Sequence, residues 1–173
     1  MTRKVLLLAI LPFALALTAC GSSGPSSGPS SGSPDQVAQQ DLETALSAAK
    51  SGYMQTGDFS QAAPPELQQF AQSLTFVEPD GDVTAGTHQV GVSNGGDNTN
   101  QTLTLAAVSS TGTCWYLVDV AKSGSETLTG SSGIHSPGLW YGHADDSAMT
   151  CNAPDSGPPM GSSLSGGWGD AHF

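Results

Sequence analysis

The hydrophobic period of this chain changes once, from helical to extended, and that change sets what it can build. Ala38, Leu42, Ala45, Leu46, Ala49 and Tyr53 recur at the spacing of one helix face, with Gln39, Gln40, Glu43 and Lys50 on the other side. Ser33-Pro34-Asp35-Gln36 supplies a start: a serine to cap, a proline at the first helical position, and a glutamine placed to reach back to the cap. Gly57 supplies a stop. A short second helix is predicted from Pro65 to Ala71. From Leu74 the period is two. Leu74–Val77 ends at the turn Pro79-Asp80-Gly81, and His88, Val90 and Val92 alternate in a second strand. After the turn Asn94-Gly95-Gly96-Asp97, Leu103, Leu105 and Ala107 alternate in a third, and Cys114–Val118 forms a fourth. Beyond Val120 loop residues dominate, with one aromatic return at Leu139-Trp140-Tyr141. A helix followed by a run of strands predicts an α+β domain, the N-terminal helix packed on an antiparallel sheet of about four strands.

The chain ahead of the helix has a different character. Met1-Thr2-Arg3-Lys4 is basic, Val5–Leu17 is apolar, and Leu17-Thr18-Ala19-Cys20 ends in small residues. The apolar run is interrupted by Pro12 and is shorter than the roughly 20 residues a membrane span requires. Residues 1–19 therefore read as a secretory signal peptide. The absence of an Arg-Arg pair favours the general secretory route. A cysteine directly after Leu-Thr-Ala resembles the lipobox of bacterial lipoproteins. The resemblance implies cleavage before Cys20, a diacylglyceryl group on its thiol, and residence on the extracytoplasmic face of the cell membrane. Secretion without lipidation is the alternative. Residues 20–32 contain Gly-Pro-Ser-Ser twice and read as a flexible tether, holding the folded part of the chain roughly 20 Å from its anchor. Residues 154–173 are again rich in Gly, Ser and Pro and are expected to form a disordered tail. One domain remains, at 33–153.

From Cys20 onward Lys50 and Lys122 are the only basic residues besides histidine, against 15 Asp and Glu. Such a balance repels phosphate backbones and anionic surfaces, so nucleic acid is excluded as a partner. With Cys20 assigned to lipid, Cys114 and Cys151 are left as a pair in an oxidising compartment. A bridge between them would close a loop of about 37 residues and stabilise the fold by roughly 4 kcal/mol; two free thiols are the alternative.

Motifs for chemistry are weak. Gly91-Val92-Ser93-Asn94-Gly95 has the spacing of a nucleophile elbow, which requires a helix after the serine. Here Asn-Gly between alternating strands predicts a hairpin instead. His135, His143, Asp145 and Asp146 share a loop without the spacing of a metal site. Asp80-Gly81-Asp82 and Asp97-Asn98 are fragments of calcium loops that turn chemistry explains. Asn100-Gln101-Thr102 has the pattern of a glycosylation acceptor, and His88 reads as a strand residue. No cofactor, no metal and no catalytic activity are expected. Trp115, Tyr116, Trp140 and Tyr141 carry the aromatic mass, and alternation sends the members of each adjacent pair to opposite faces.

The helix 41–50, the strand Leu74–Val77, the segment Ser110-Thr111-Gly112-Thr113-Cys114-Trp115-Tyr116, and Trp140-Tyr141-Gly142 followed by Cys151 resemble in their order the globular head of type IV pilins and pseudopilins, especially short actinobacterial ones. The resemblance spans about Gln36 to Asn152. It implies a disulfide-closed C-terminal loop and work by surface contact. The long hydrophobic helix on which pilins polymerise is replaced here by lipobox and tether. The expectation is a lipid-anchored, non-catalytic binding or scaffold module whose partners include pilus or secretion-system proteins, with Trp140, Tyr141 and His143 as its partner or ligand surface. The alternative is a stand-alone glycan- or small-molecule-binding lipoprotein, which calls for a concave pocket beside Trp140-Tyr141.

Overall fold

The computed structural model describes residues 32–94, 99–125, 133–145 and 150–170. The signal peptide, Cys20, nearly all of the tether, the turn residues Gly95–Asp97, Asn98 and Asp146 lie outside them.

The fold begins at a reciprocal cap. The Ser33 hydroxyl accepts from the Gln36 backbone N–H at 3.3 Å, and the Gln36 side chain accepts from the Ser33 N–H at 2.9 Å. A cap of this kind stabilises a helix by about 1 kcal/mol. It opens α1 (Pro34–Thr56), which closes where Gly57 turns left-handed and donates its N–H to the Tyr53 carbonyl at 2.8 Å. The predicted stripe is the buried face, with Tyr53 half-buried at its end. Helix α2 (Pro64–Phe70) comes next, anchored by the fully buried Leu67.

The sheet comprises β1 (Thr75–Val77), β2 (Gln89–Ser93), β3 (Thr102–Val108), β4 (Cys114–Val120) and β5 (Gly138–Ala144), in that spatial order. The α+β class stands, with two corrections. There are five strands, because the aromatic return at residues 139–141 is the centre of a strand that pairs with β4 along its whole length. The sheet is also mixed, because β1 runs parallel to β2 while the other pairs are antiparallel. Segment 78–88 does not fold back as a hairpin. It is held on the C-terminal segment, Asp80 N–H donating to the Ala153 carbonyl at 3.1 Å and Val83 N–H to the Cys151 carbonyl at 2.9 Å. The chain thus re-enters the sheet in its original direction, as a parallel pair requires.

Both sheet faces are covered, so the central strands are buried almost without alternation. On one face Val90, Val92, Leu103, Leu105, Leu117 and Tyr141 pack against α1, with Phe59, Leu67 and Phe76 closing the rim. On the other, Ala106, Tyr116 and Ala144 lie under Cys151, Ala153, Leu164 and Trp168, while Val118 and Val120 lie under Ile134 and Trp140.

That second layer corrects the reading of a disordered tail for residues 154–170, which are laid along the sheet through Leu164 and Trp168; residues 171–173 lie outside the described residues. Tyr141 and Gly169 exchange backbone hydrogen bonds at 2.8 and 2.9 Å, and Ser165 N–H donates to the His143 carbonyl at 2.7 Å. The Trp168 indole donates to the Pro159 carbonyl at 3.1 Å. Glycine and proline prevent a long regular element here, but two apolar anchors and bonding to the edge of β5 suffice for order. Gly142 provides the room: a Cβ there would stand 2.6 Å from Leu164 Cδ1 and 3.2 Å from Trp168 Cε3. Cys114 and Cys151 are joined in a disulfide, their Cα atoms 5.6 Å apart, which ties this layer to the start of β4.

Candidate functional site

The three residues expected to form a surface are divided by the pleat of β5. Tyr141 points to the helix side and is buried; burial first, then the negative fields of Glu43 and Asp119, raise its phenol above the ordinary value of 10.0. His143 is on the same side but half-exposed, its ring stacked on Trp115 at a centroid distance of 4.8 Å and its Nε2 3.6 Å from Asp145. The Trp115 indole donates to Asp35 at 3.3 Å. Trp140 lies on the opposite face and donates its indole N–H to the Ser136 carbonyl at 3.0 Å. Beside Trp140 and Tyr141, at the open edge of β5, there is a depression of about 470 Å³ whose rim includes Pro137 and Asp170.

The other sequence candidates have structural roles. Ser93 is buried at the end of β2 and leads to β3, not to a helix that could support an oxyanion. Asp80 adopts φ 61°, and its carboxylate accepts from the Asp155 backbone N–H at 3.2 Å, so it fastens the crossover to the C-terminal layer. Asn100 sits in a turn, and its carbonyl accepts from Phe59 N–H at 2.7 Å. Among the described residues no three His, Cys, Asp or Glu side chains are grouped to hold a metal ion. On the helix side Lys50 Nζ lies 3.3 Å from the carboxylate of buried Asp119, clamping the second half of α1 onto β4.

One constellation is not visible in the sequence. His88 precedes β2 with a left-handed backbone, φ 51°, a conformation that costs a non-glycine residue about 1–3 kcal/mol. Its carbonyl accepts from Thr75 N–H at 3.0 Å, which starts the β1–β2 pairing, while its ring turns back to α1. Nδ1 lies 3.1 Å from both oxygens of Asp41. Engaged through Nδ1, the imidazole keeps Nε2 as its second polar atom, an acceptor when the ring is neutral and a donor when it is charged. Asp41 and His88 stand in a cleft of about 200 Å³ between the start of α1, residues 86–89 and the β3–β4 turn at Ser109 and Ser110. The partners are 47 residues apart, beyond any local pattern; the sequence places His88 within the second strand, whereas its left-handed backbone sets it just before β2.

Comparison of the chain with protein-family models, with curated proteins and with solved structures finds no match.

Proposed function

We propose that this protein is a lipid-anchored extracytoplasmic lipoprotein whose α+β domain is a non-catalytic binding or scaffold module, working beside a type IV pilus or secretion system. In this reading lipid on Cys20 holds the chain to the membrane and the tether lifts the domain from it. The observation that carries the reading is the C-terminal layer. A C-terminal segment tied by the Cys114–Cys151 disulfide to a sheet backed by one long N-terminal helix supports this reading, since it offers a covalently fastened surface for contact. The described helices include none long and apolar enough to cross a membrane, so attachment in this reading falls to the lipid. Cys20→Ser should release the protein from the membrane fraction or leave the signal peptide uncut. Retention with correct cutting would refute the lipid anchor. In-cell crosslinking followed by mass spectrometry should recover pilus or secretion-system proteins.

The depression beside Trp140 favours a second reading, a stand-alone module for glycans or small molecules. Recovery of envelope glycans without protein partners would select it.

A further inference from the structure

We infer that the cleft at the start of α1 binds one residue of a neutral sugar, or a polyol of that size, with Asp41 and His88 as its hydroxyl-recognising pair. The inference rests on the small-molecule reading above and assigns that reading a site different from the Trp140 depression.

Size comes first. A cleft of about 200 Å³ has the volume of roughly six or seven waters, which suits a single ring and not an oligosaccharide. Its lining is mixed in polarity. Pro34, Val37 and Ala38 of α1 and Val108 of β3 give it apolar patches suited to the C–H edge of a sugar ring. Among the polar lining residues Ser109 is already bonded to Thr111 and Asp41 to His88, and the groups left for a ligand are those of His88, Gln89 and Ser110. Nδ1 of His88 is engaged with Asp41, which leaves Nε2 for a ligand, an acceptor when the ring is neutral and a donor when it is charged. Gln89 accepts from Thr84 N–H through Oε1 at 2.9 Å, which leaves its amide N–H groups to donate. The Ser110 hydroxyl can do either. Adjacent hydroxyls on a sugar both donate and accept, and they match such a set.

The set is also held in place before any ligand arrives. His88 is fixed by its left-handed backbone and by Asp41, and Gln89 by Thr84. Pre-arranged groups lose less freedom on binding. Charge narrows the class further. No Lys or Arg lines the cleft, and the chain carries a net charge of −11, so a phosphorylated or carboxylated ligand would be repelled. The Trp140 depression lacks this arrangement, because its indole N–H is already bonded to Ser136.

The test is NMR of the full processed chain in detergent micelles, following the His88 ring and backbone amides. The probes are methyl α-glucoside, N-acetylglucosamine and mannitol, with glucose phosphate as the anionic comparison. A ligand of about a dozen non-hydrogen atoms should half-saturate at about millimolar concentration. Saturable shifts at His88, Gln89 and Ser110 are expected with a neutral probe. Asp41→Asn and His88→Gly should each weaken them at least tenfold. His88→Gly also relieves the left-handed backbone, so its thermal midpoint should not fall, which separates lost binding from lost folding. Tighter binding of the sugar phosphate would overturn the neutral class. Shifts confined to Trp140 and Tyr141 would overturn the site while leaving the small-molecule reading intact. No shift with any probe would overturn the inference, and the crosslinking result decides that reading separately.

Discussion

Asp119 shows how one buried charge is tolerated here. Burial raises its carboxyl above the ordinary 3.8, and Lys50 pulls it partly back. The folded state therefore holds this proton more tightly than the unfolded chain. The group's contribution to stability is complete below pH 3.8 and is lost as pH rises through the higher folded value. Lys50→Met removes the opposing influence and raises the folded value further, so the loss at neutral pH deepens. Because the Lys50 side chain is 48 % exposed, the expected cost is discounted for solvent screening. It should be about 1–2 kcal/mol at pH 7 and close to zero at pH 3. Urea unfolding at the two values checks it, and an equal cost at both would show that Lys50 acts through packing alone. At this scale the sequence was readable where partners are neighbours. Ser33 and Gln36 are three residues apart and announce their cap. Asp41 and His88, or Lys50 and Asp119, are brought together only by the docking of α1 on the sheet, and no local spacing encodes them.

Among the elements, α1 was readable nearly to its ends because stripe, cap and stop agree. The strands β2, β3 and β4 were readable from period two and their turns. The parallel pairing of β1 was not, because its cause is the fastening of segment 78–88 to residues 151–155, far along the chain. β5 was only half legible: Gly138 and Gly142 dilute its pattern, yet Gly142 is what lets Leu164 and Trp168 lie on the sheet. Gly142→Val should therefore lift that layer. The expected loss is about 1–3 kcal/mol, at the scale of overpacking a filled core. Amide exchange should quicken first at residues 164–169, and an unchanged exchange pattern there would contradict the packing described.

For the molecule as a whole, composition misjudged extent. A segment rich in glycine, serine and proline cannot fold by itself, but it can lie on a sheet already formed, and its few anchors weigh little in an average over the segment. The aromatic residues follow the alternation expected of them. Alternation separates Trp140 from Tyr141, and the division of β5 between two cores leaves Trp140 and His143 half-buried and Tyr141 buried. The disulfide is the covalent part of the second layer. Removing it by Cys114→Ala with Cys151→Ala should cost about 4 kcal/mol for a loop of this length. Thermal unfolding of the double variant beside the oxidised parent measures it, and a loss below about 1 kcal/mol would mean the layer is held by packing alone.

The same bond has a mechanical consequence. It makes residues 114–151 a covalent ring that contains β4 and β5. A pull applied between Gly32 and Asp170 can peel away α1 and the strands before Cys114, but it cannot draw out the ring. About 37 residues at roughly 3.4 Å each, some 125 Å of chain, stay out of reach of the load until the sulfurs are reduced. A domain tugged from its N-terminal end would then yield only as far as that ring and keep β4 and β5 linked, a stop whose place is set by the positions of two cysteines.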